Sequence, residues 1–295
     1  MLIRTLACFL LLILSAPSPA MTALFYQPQK SDQTVSIEKW GSIFKNVRNK
    51  GFDTLVVQWT QYGEFLSEDK DKEWLIKVLN QAKEVKLKLV IGLSADPEIF
   101  TKLKQAPAGL EIYLQKNYES DRKLLAFWNQ SPLIENAIGW YIPLEVDDRE
   151  WRDLDRRMIL KQFLDRQLQQ IHSSSVKDVY ISSFFTGKMT PQNYAQQLAD
   201  LKAGTQLKIW VQDGGGTKKL TASERELYLQ DISDCKANTM DGLIYEIFKQ
   251  TQHDQLFTAE PLGSADLAHR LKLRAPCKRD TLFFELRYLI NLKAQ

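Results

Sequence analysis

Eight short apolar runs recur along this chain, each separated from the next by a longer amphipathic stretch, and that alternation restricts the fold more than any other feature. The runs cover residues 23–27, 54–59, 87–93, 137–142, 178–184, 207–212, 242–247 and 281–286. They are rich in Val, Ile, Phe, Tyr and Trp and have polar flanks, as strands buried on both faces require. The spacers carry apolar residues at helical intervals over residues 35–49, 71–85, 110–129, 149–173, 191–201, 222–236 and 264–271. Thr190 followed by Pro191, and Thr221 with Glu224 three positions on, are helix-start signals. Eight strands in series with helical spacers predict an α/β chain folded as a single (β/α)8 TIM barrel. A Rossmann dinucleotide site is excluded, because QPQKSDQ and not a glycine-rich turn follows the first strand. Gly214-Gly215-Gly216, after the sixth strand, is read as a flexible loop.

The first twenty residues have a different pattern. Arg4 precedes an apolar run over residues 6–14, and Ser18-Pro19-Ala20 supplies small residues for cleavage, which is the pattern of a secretory signal peptide. Cleavage is expected after Ala20, leaving a barrel domain over residues 21–295 in the periplasm or outside the cell. The apolar run is too short to span a bilayer. In an oxidising compartment Cys235 and Cys277 can form a disulfide, since the barrel places both at the same end of neighbouring units; the alternative is two separate buried thiols. The net charge of +3 is dispersed among acids and bases, without the concentrated basic face that nucleic acid requires.

In such a barrel, chemistry sits at the C-terminal strand ends. Those ends carry Tyr26 and Gln27, Gln58 and Trp59 with Tyr62 beyond, Glu145 and Asp147, Gln212 and Asp213, Tyr245 and Glu246, and Glu285. Carboxylates and amides match sugar hydroxyls, and aromatic faces match sugar C–H faces. None of the three histidines, His172, His253 and His269, ends a strand. That argues against a His-rich metal site, a deacetylase and a Ser-His-Asp hydrolase, and no cofactor or metal is expected. Glu145 ends WYIPLE and Glu246 lies in LIYEIF, three strands apart on the ring, so both face one mouth as candidate catalytic groups. Glycoside hydrolysis uses two such carboxyls, one to protonate the leaving oxygen and one to attack the anomeric carbon or activate water. A charge inside an apolar run is costly unless paired or functional; Glu285, in LFFELR, shares this property and has Arg287 as a structural partner. Asp147, Asp148 and Glu150 are read as a solvated helix start, with Asp147 retained as a substrate contact. Tyr26, Gln27, Gln58, Trp59, Tyr62, Gln212, Asp213, Tyr245 and Glu285 complete the expected sugar-binding set.

The stretches ALFYQPQ, GFDTLVVQWTQYG, IGWYIPLEVDD and GLIYEIF resemble an uncharacterised bacterial family of exported, candidate TIM-barrel glycoside hydrolases. The resemblance spans most of the chain after the leader. It implies a glycosidase-like barrel acting on a polysaccharide or oligosaccharide, in association with an exopolysaccharide secretion system. The fourth- and seventh-strand glutamates also look like those of the large retaining glycosidase clan, which implies Glu145 as acid/base and Glu246 as nucleophile. That clan carries Asn directly before its fourth-strand Glu; Leu144 stands here, leaving the amide's work to Gln58 or Gln212. A barrel that binds polysaccharide without cleaving it is the competing reading.

Overall fold

The computed structural model describes residues 20–251, 258–290 and 292. All of the expected leader except Ala20 lies outside the described residues. The eight barrel strands are β1 (Thr22–Tyr26), β2 (Thr54–Val57), β3 (Lys88–Gly92), β4 (Ala137–Asp147), β5 (Asp178–Phe184), β6 (Leu207–Gln212), β7 (Gly242–Glu246) and β8 (Asp280–Phe284). Each pairs in parallel with its neighbours, and β8 pairs with β1, closing the ring. The connecting helices are α1 (Ile37–Asn49), α2 (Asp69–Glu84), α3 (Pro107–Trp128), α4 (Leu154–His172), α5 (Pro191–Lys202), α6 (Ala222–Ile232) and α7 (Ser264–Arg270). This is the single TIM barrel that the strand periodicity predicts.

The period-2 alternation of each strand divides the core into two layers. Phe25, Val56, Val90, Tyr141, Tyr180, Trp210, Ile244 and Leu282 fill the lumen. Tyr180 stacks on Trp210 with ring centroids 4.2 Å apart, and Phe25 meets Trp210 edge-on, so a packed aromatic plug underlies the mouth. The intervening residues, such as Leu24, Leu55, Val57, Leu89 and Ile91, face the helices. Helix α1 answers with Trp40, Ile43, Phe44 and Val47, spaced i, i+3, i+4, i+7, and starts where the Ser36 side chain accepts from Lys39 N–H. The Thr221–Glu224 capping box forms at the start of α6 and Thr190 caps α5, as the sequence predicts.

Two boundaries differ from expectation in ways that shape the mouth. Strand β4 continues to Asp147, with an irregularity between Ile142 and Glu145 where Pro143 and Leu144 have no partner on β5. Pro143 cannot donate to a ladder and is tolerated at such a bulge. Because two residues are inserted, the alternation is preserved, and Glu145 pairs with lumen-facing Ser182. Helix α4 begins at Leu154, not near Arg149. The acids before it are not a solvated helix start: Asp147 and Asp148 are buried. Asp148 accepts from the backbone amides of Thr186, Lys188 and Met189 and from the Thr186 hydroxyl, tying the β4 and β5 loops together.

At the opposite end of the barrel a disulfide joins Cys235, after α6, to Cys277, before β8, with Cα atoms 5.5 Å apart. Among the described residues no helix is long and apolar enough to cross a membrane.

Candidate active site

The mouth is built by continuing the lumen alternation past the strand ends. Gln27 and Gln58 stand two residues beyond lumen-facing Phe25 and Val56, Gln212 two beyond Trp210, and Glu246 two beyond Ile244. Gln27 Nε2 donates to Gln58 Oε1 at 2.9 Å, and Gln212 Nε2 donates to Glu145 Oε1 at 2.7 Å. Of the two amides expected to do the work of the clan's Asn, Gln212 is the one that contacts Glu145, from β6. Glu145 keeps partial solvent exposure.

Glu246 is 2% exposed. Its Oε2 accepts two backbone N–H bonds, from Gly216 at 2.6 Å and Thr217 at 3.0 Å. The triple-glycine segment, read as a flexible loop, is thus tied to its surroundings: Gly215 N–H donates to Asp213, and Gly216 and Thr217 cradle the Glu246 carboxyl. A Cβ on Gly216 would lie 2.7 Å from the Phe248 carbonyl oxygen, so the close approach of the backbone at this position requires glycine. Asp213 braces the same loop: its Oδ1 accepts from Glu246 N–H and Gly215 N–H, and its Oδ2 is paired with Arg270.

Burial dominates the electrostatics of both glutamates. Burial raises Glu246 most, followed by the charge of Asp213; the Gly216 and Thr217 amides pull it down, the charge of Glu145 raises it again, and the result is about 7. Burial also raises Glu145, opposed by the Gln212 hydrogen bond, raised by Asp147 and lowered by the Lys219 ammonium. Both carboxyls are thus biased toward holding a proton, and Glu246 feels the charge of Glu145, as two carboxyls sharing one mouth do.

Glu285 forms a separate buried group with Arg287, Asp32 and Tyr26. Burial raises Glu285 to about 7 against the opposing charge of Arg287, whose Nε lies 3.7 Å from its Oε1. Arg287 donates to both oxygens of Asp32 (3.1 and 2.7 Å) and to the Gln27 carbonyl (2.6 Å). This network anchors the β8 end to the loop after β1, and Glu285 Oε2 has no protein partner in it.

Residues 21–292 match the family described as Domain of unknown function (DUF4434). This chain belongs to that family. It is similar to a protein of Escherichia coli (strain K12) described as Uncharacterized protein YbcH, with 42% identity over 280 residues, covering 95% of this chain and 94% of the relative. Among solved structures, it resembles a candidate alpha-L-fucosidase from Bacteroides thetaiotaomicron (TM-score 0.62, 16% identity, 97% of this chain and 91% of that one). It also resembles the catalytic domain of a beta-amylase from Paenibacillus polymyxa (TM-score 0.53, 10% identity, 92% and 94%). At these identities the likeness is one of fold, and that fold is the (β/α)8 barrel.

The structure brings Glu145, Glu246, Gln212, Gln27 and Gln58 to the mouth, and it engages other predicted residues with protein partners. Tyr26 and Tyr245 face the helix layer because they occupy the outward phase of β1 and β7; their hydroxyls bond Asp32 Oδ2 and the Arg274 carbonyl. Asp147 is turned onto the Arg149 and Glu150 amides, and Asp213 onto Arg270. Trp59 is buried, donates Nε1–H to the Pro28 carbonyl at 3.0 Å, and stacks on half-exposed Tyr62 with centroids 4.6 Å apart. Lys219, whose Nζ lies 5.7 Å from the Phe184 ring centroid, and the Gly216–Thr217 amides are mouth elements that no residue pattern predicts. Backbone donors are invisible in a sequence, and one lysine among many carries no signal.

Proposed function

We propose that this protein is a retaining glycoside hydrolase that cleaves a bacterial exopolysaccharide in the periplasm or outside the cell, in association with a polysaccharide secretion system. The observation that supports it is the pair Glu145 and Glu246, delivered by β4 and β7 to one mouth, where the charge of Glu145 is one of the causes that raise Glu246. The two environments suit two roles. Glu145 is open to solvent on one side and steadied by Gln212, so it can lose and regain a proton. Glu246 has one oxygen held by N–H donors only, which supports its anionic form and leaves the other oxygen to react.

In the first step Glu145 gives its proton to the glycosidic oxygen as the bond to the anomeric carbon breaks, and Glu246 bonds to that carbon. In the second, Glu145 takes a proton from water, the oxygen of that water attacks the anomeric carbon, and Glu246 is released as a carboxylate. Gln27, Gln58 and Tyr62 are assigned to holding the sugar. The test is incubation with a panel of bacterial exopolysaccharides, reading reducing ends and the anomeric configuration of the first product by NMR. Glu145→Gln and Glu246→Gln should each lower turnover by at least about a thousandfold with folding intact; normal turnover in both refutes the assignment, and inverted product refutes retention.

One observation favours a second reading, a barrel that binds polysaccharide and assists its export without cleavage. Leu144 is buried where the retaining clan carries Asn. On that reading, glycan binding survives loss of both glutamates and no reducing ends form at any pH.

A further inference from the structure

We infer that the outer wall of the barrel carries a second saccharide site, in the groove between α2 and α3, which takes carboxylate-bearing sugar units of a polymer. A cavity of about 480 Å³ opens there, outside the mouth and in the size range of small-molecule pockets. Its base is built. Lys72, with its side chain 12% exposed, lies over the Phe127 ring with Nζ 5.2 Å from the centroid. Two of its three N–H donors are engaged, by the Ser67 carbonyl at 2.7 Å and Asp69 at 3.3 Å. The third is left for a ligand.

The lip is positive as well. Lys116 and Lys123, two turns apart on α3, line the cavity, and neither forms an ion pair among the described residues. The one carboxylate in the lining, Glu119, is already held by Arg122 Nε at 3.0 Å and by the Gln115 amide at 3.2 Å. Lys116 and Lys123 therefore face the cavity without a paired carboxylate among the described residues, beside the Gln61 amide, the Ser120 hydroxyl and the Phe127 ring, while Lys72 is paired with Asp69. Ammonium groups match a carboxylate, the amide and hydroxyl match sugar hydroxyls, and the ring matches a C–H face. Gln61, which lines the cavity, also adjoins Tyr62 on a short strand paired with Ser94–Ala95, so the groove lies next to a residue assigned to holding the sugar. The inference is independent of cleavage and takes from the proposed function only the glycan nature of the ligand.

The test is native affinity electrophoresis of the mature chain in gels containing polygalacturonate or alginate, with dextran as the neutral control. Retardation by the polyuronates and not by dextran is expected, weakening with salt. The double variant Lys116→Gln/Lys123→Gln should bind about tenfold more weakly, the scale of two exposed ion pairs, and Lys116→Arg/Lys123→Arg should retain binding. Retardation unchanged by the Gln pair, or absent with both polyuronates, overturns the site. Lysine-dependent sedimentation with phosphatidylglycerol vesicles in place of polyuronate binding also overturns it, and would assign the groove to a lipid surface. Glu145→Gln/Glu246→Gln should be retarded like the parent chain, so failure of the hydrolase reading leaves this result standing.

Discussion

Replacing Glu246 by Gln should stabilise the fold while removing its chemistry. Glu246 is buried beneath the mouth, faces the charges of Asp213 and Glu145, and has its carboxyl pushed up to about 7 from an ordinary 4.5. Relative to a carboxyl of ordinary acidity it costs the fold almost nothing below pH 4.5, where it is protonated both folded and unfolded. The cost grows as pH rises and levels off above 7. The two values differ by roughly 3 kcal/mol, reached near pH 8 and shrinking to under about 1 kcal/mol at pH 5. Gln keeps the shape, its carbonyl can accept from Gly216 and Thr217, and it carries no charge to desolvate. Urea unfolding at pH 8 should show the variant more stable by up to about 3 kcal/mol, or roughly 6 °C in Tm for a barrel of this size, with the difference mostly gone at pH 5. A Gln variant less stable than the parent at pH 8, or a difference that does not change with pH, would refute the reasoning. A gain in stability together with loss of turnover is the sign of a strained functional group.

Three further outcomes are expected. Gly216→Ala should displace the cradle, because its Cβ would meet the Phe248 backbone at 2.7 Å; turnover should fall about a hundredfold, as for an ångström-scale misplacement of a reacting group, measured as kcat on whatever glycan the parent cleaves. Cys235→Ser/Cys277→Ser should lose about 2–4 kcal/mol of stability, the entropy of the 42-residue separation that the bridge closes, seen by calorimetry, with kcat unchanged because the bridge lies at the end away from the mouth. Lys219→Gln removes the positive charge that lowers Glu145, so Glu145 should hold its proton more tightly and the basic limb of the pH profile of kcat/KM should move to higher pH; a shift to lower pH would contradict the placement of Lys219.

The barrel itself was legible because its signal is local. A strand buried on both faces must be apolar throughout, and eight such runs with amphipathic spacers close one way. Glu145 and Glu246 were legible for the same reason: a carboxyl within or just after an apolar run has few structural excuses, and parallel topology places strand ends together. The phase of each strand was harder to read. Tyr26 and Tyr245 sit one residue from the lumen phase, and a single step turns a side chain from the mouth to the helices. The two-residue irregularity at Pro143 and Leu144 had no mark beyond a proline, yet it sets which β5 residue Glu145 pairs with.

Read alone, then, the chain determined its element order, its closed parallel ring and the two strands that deliver carboxyls, since each follows from residue type over a few neighbouring positions. Only the tertiary structure decided that Gln212 steadies Glu145, that the glycine loop presents Gly216 and Thr217 amides to Glu246, and that Lys219 approaches Glu145. Those contacts join residues 29 to 74 positions apart through backbone donors and side-chain directions, and a linear pattern carries neither.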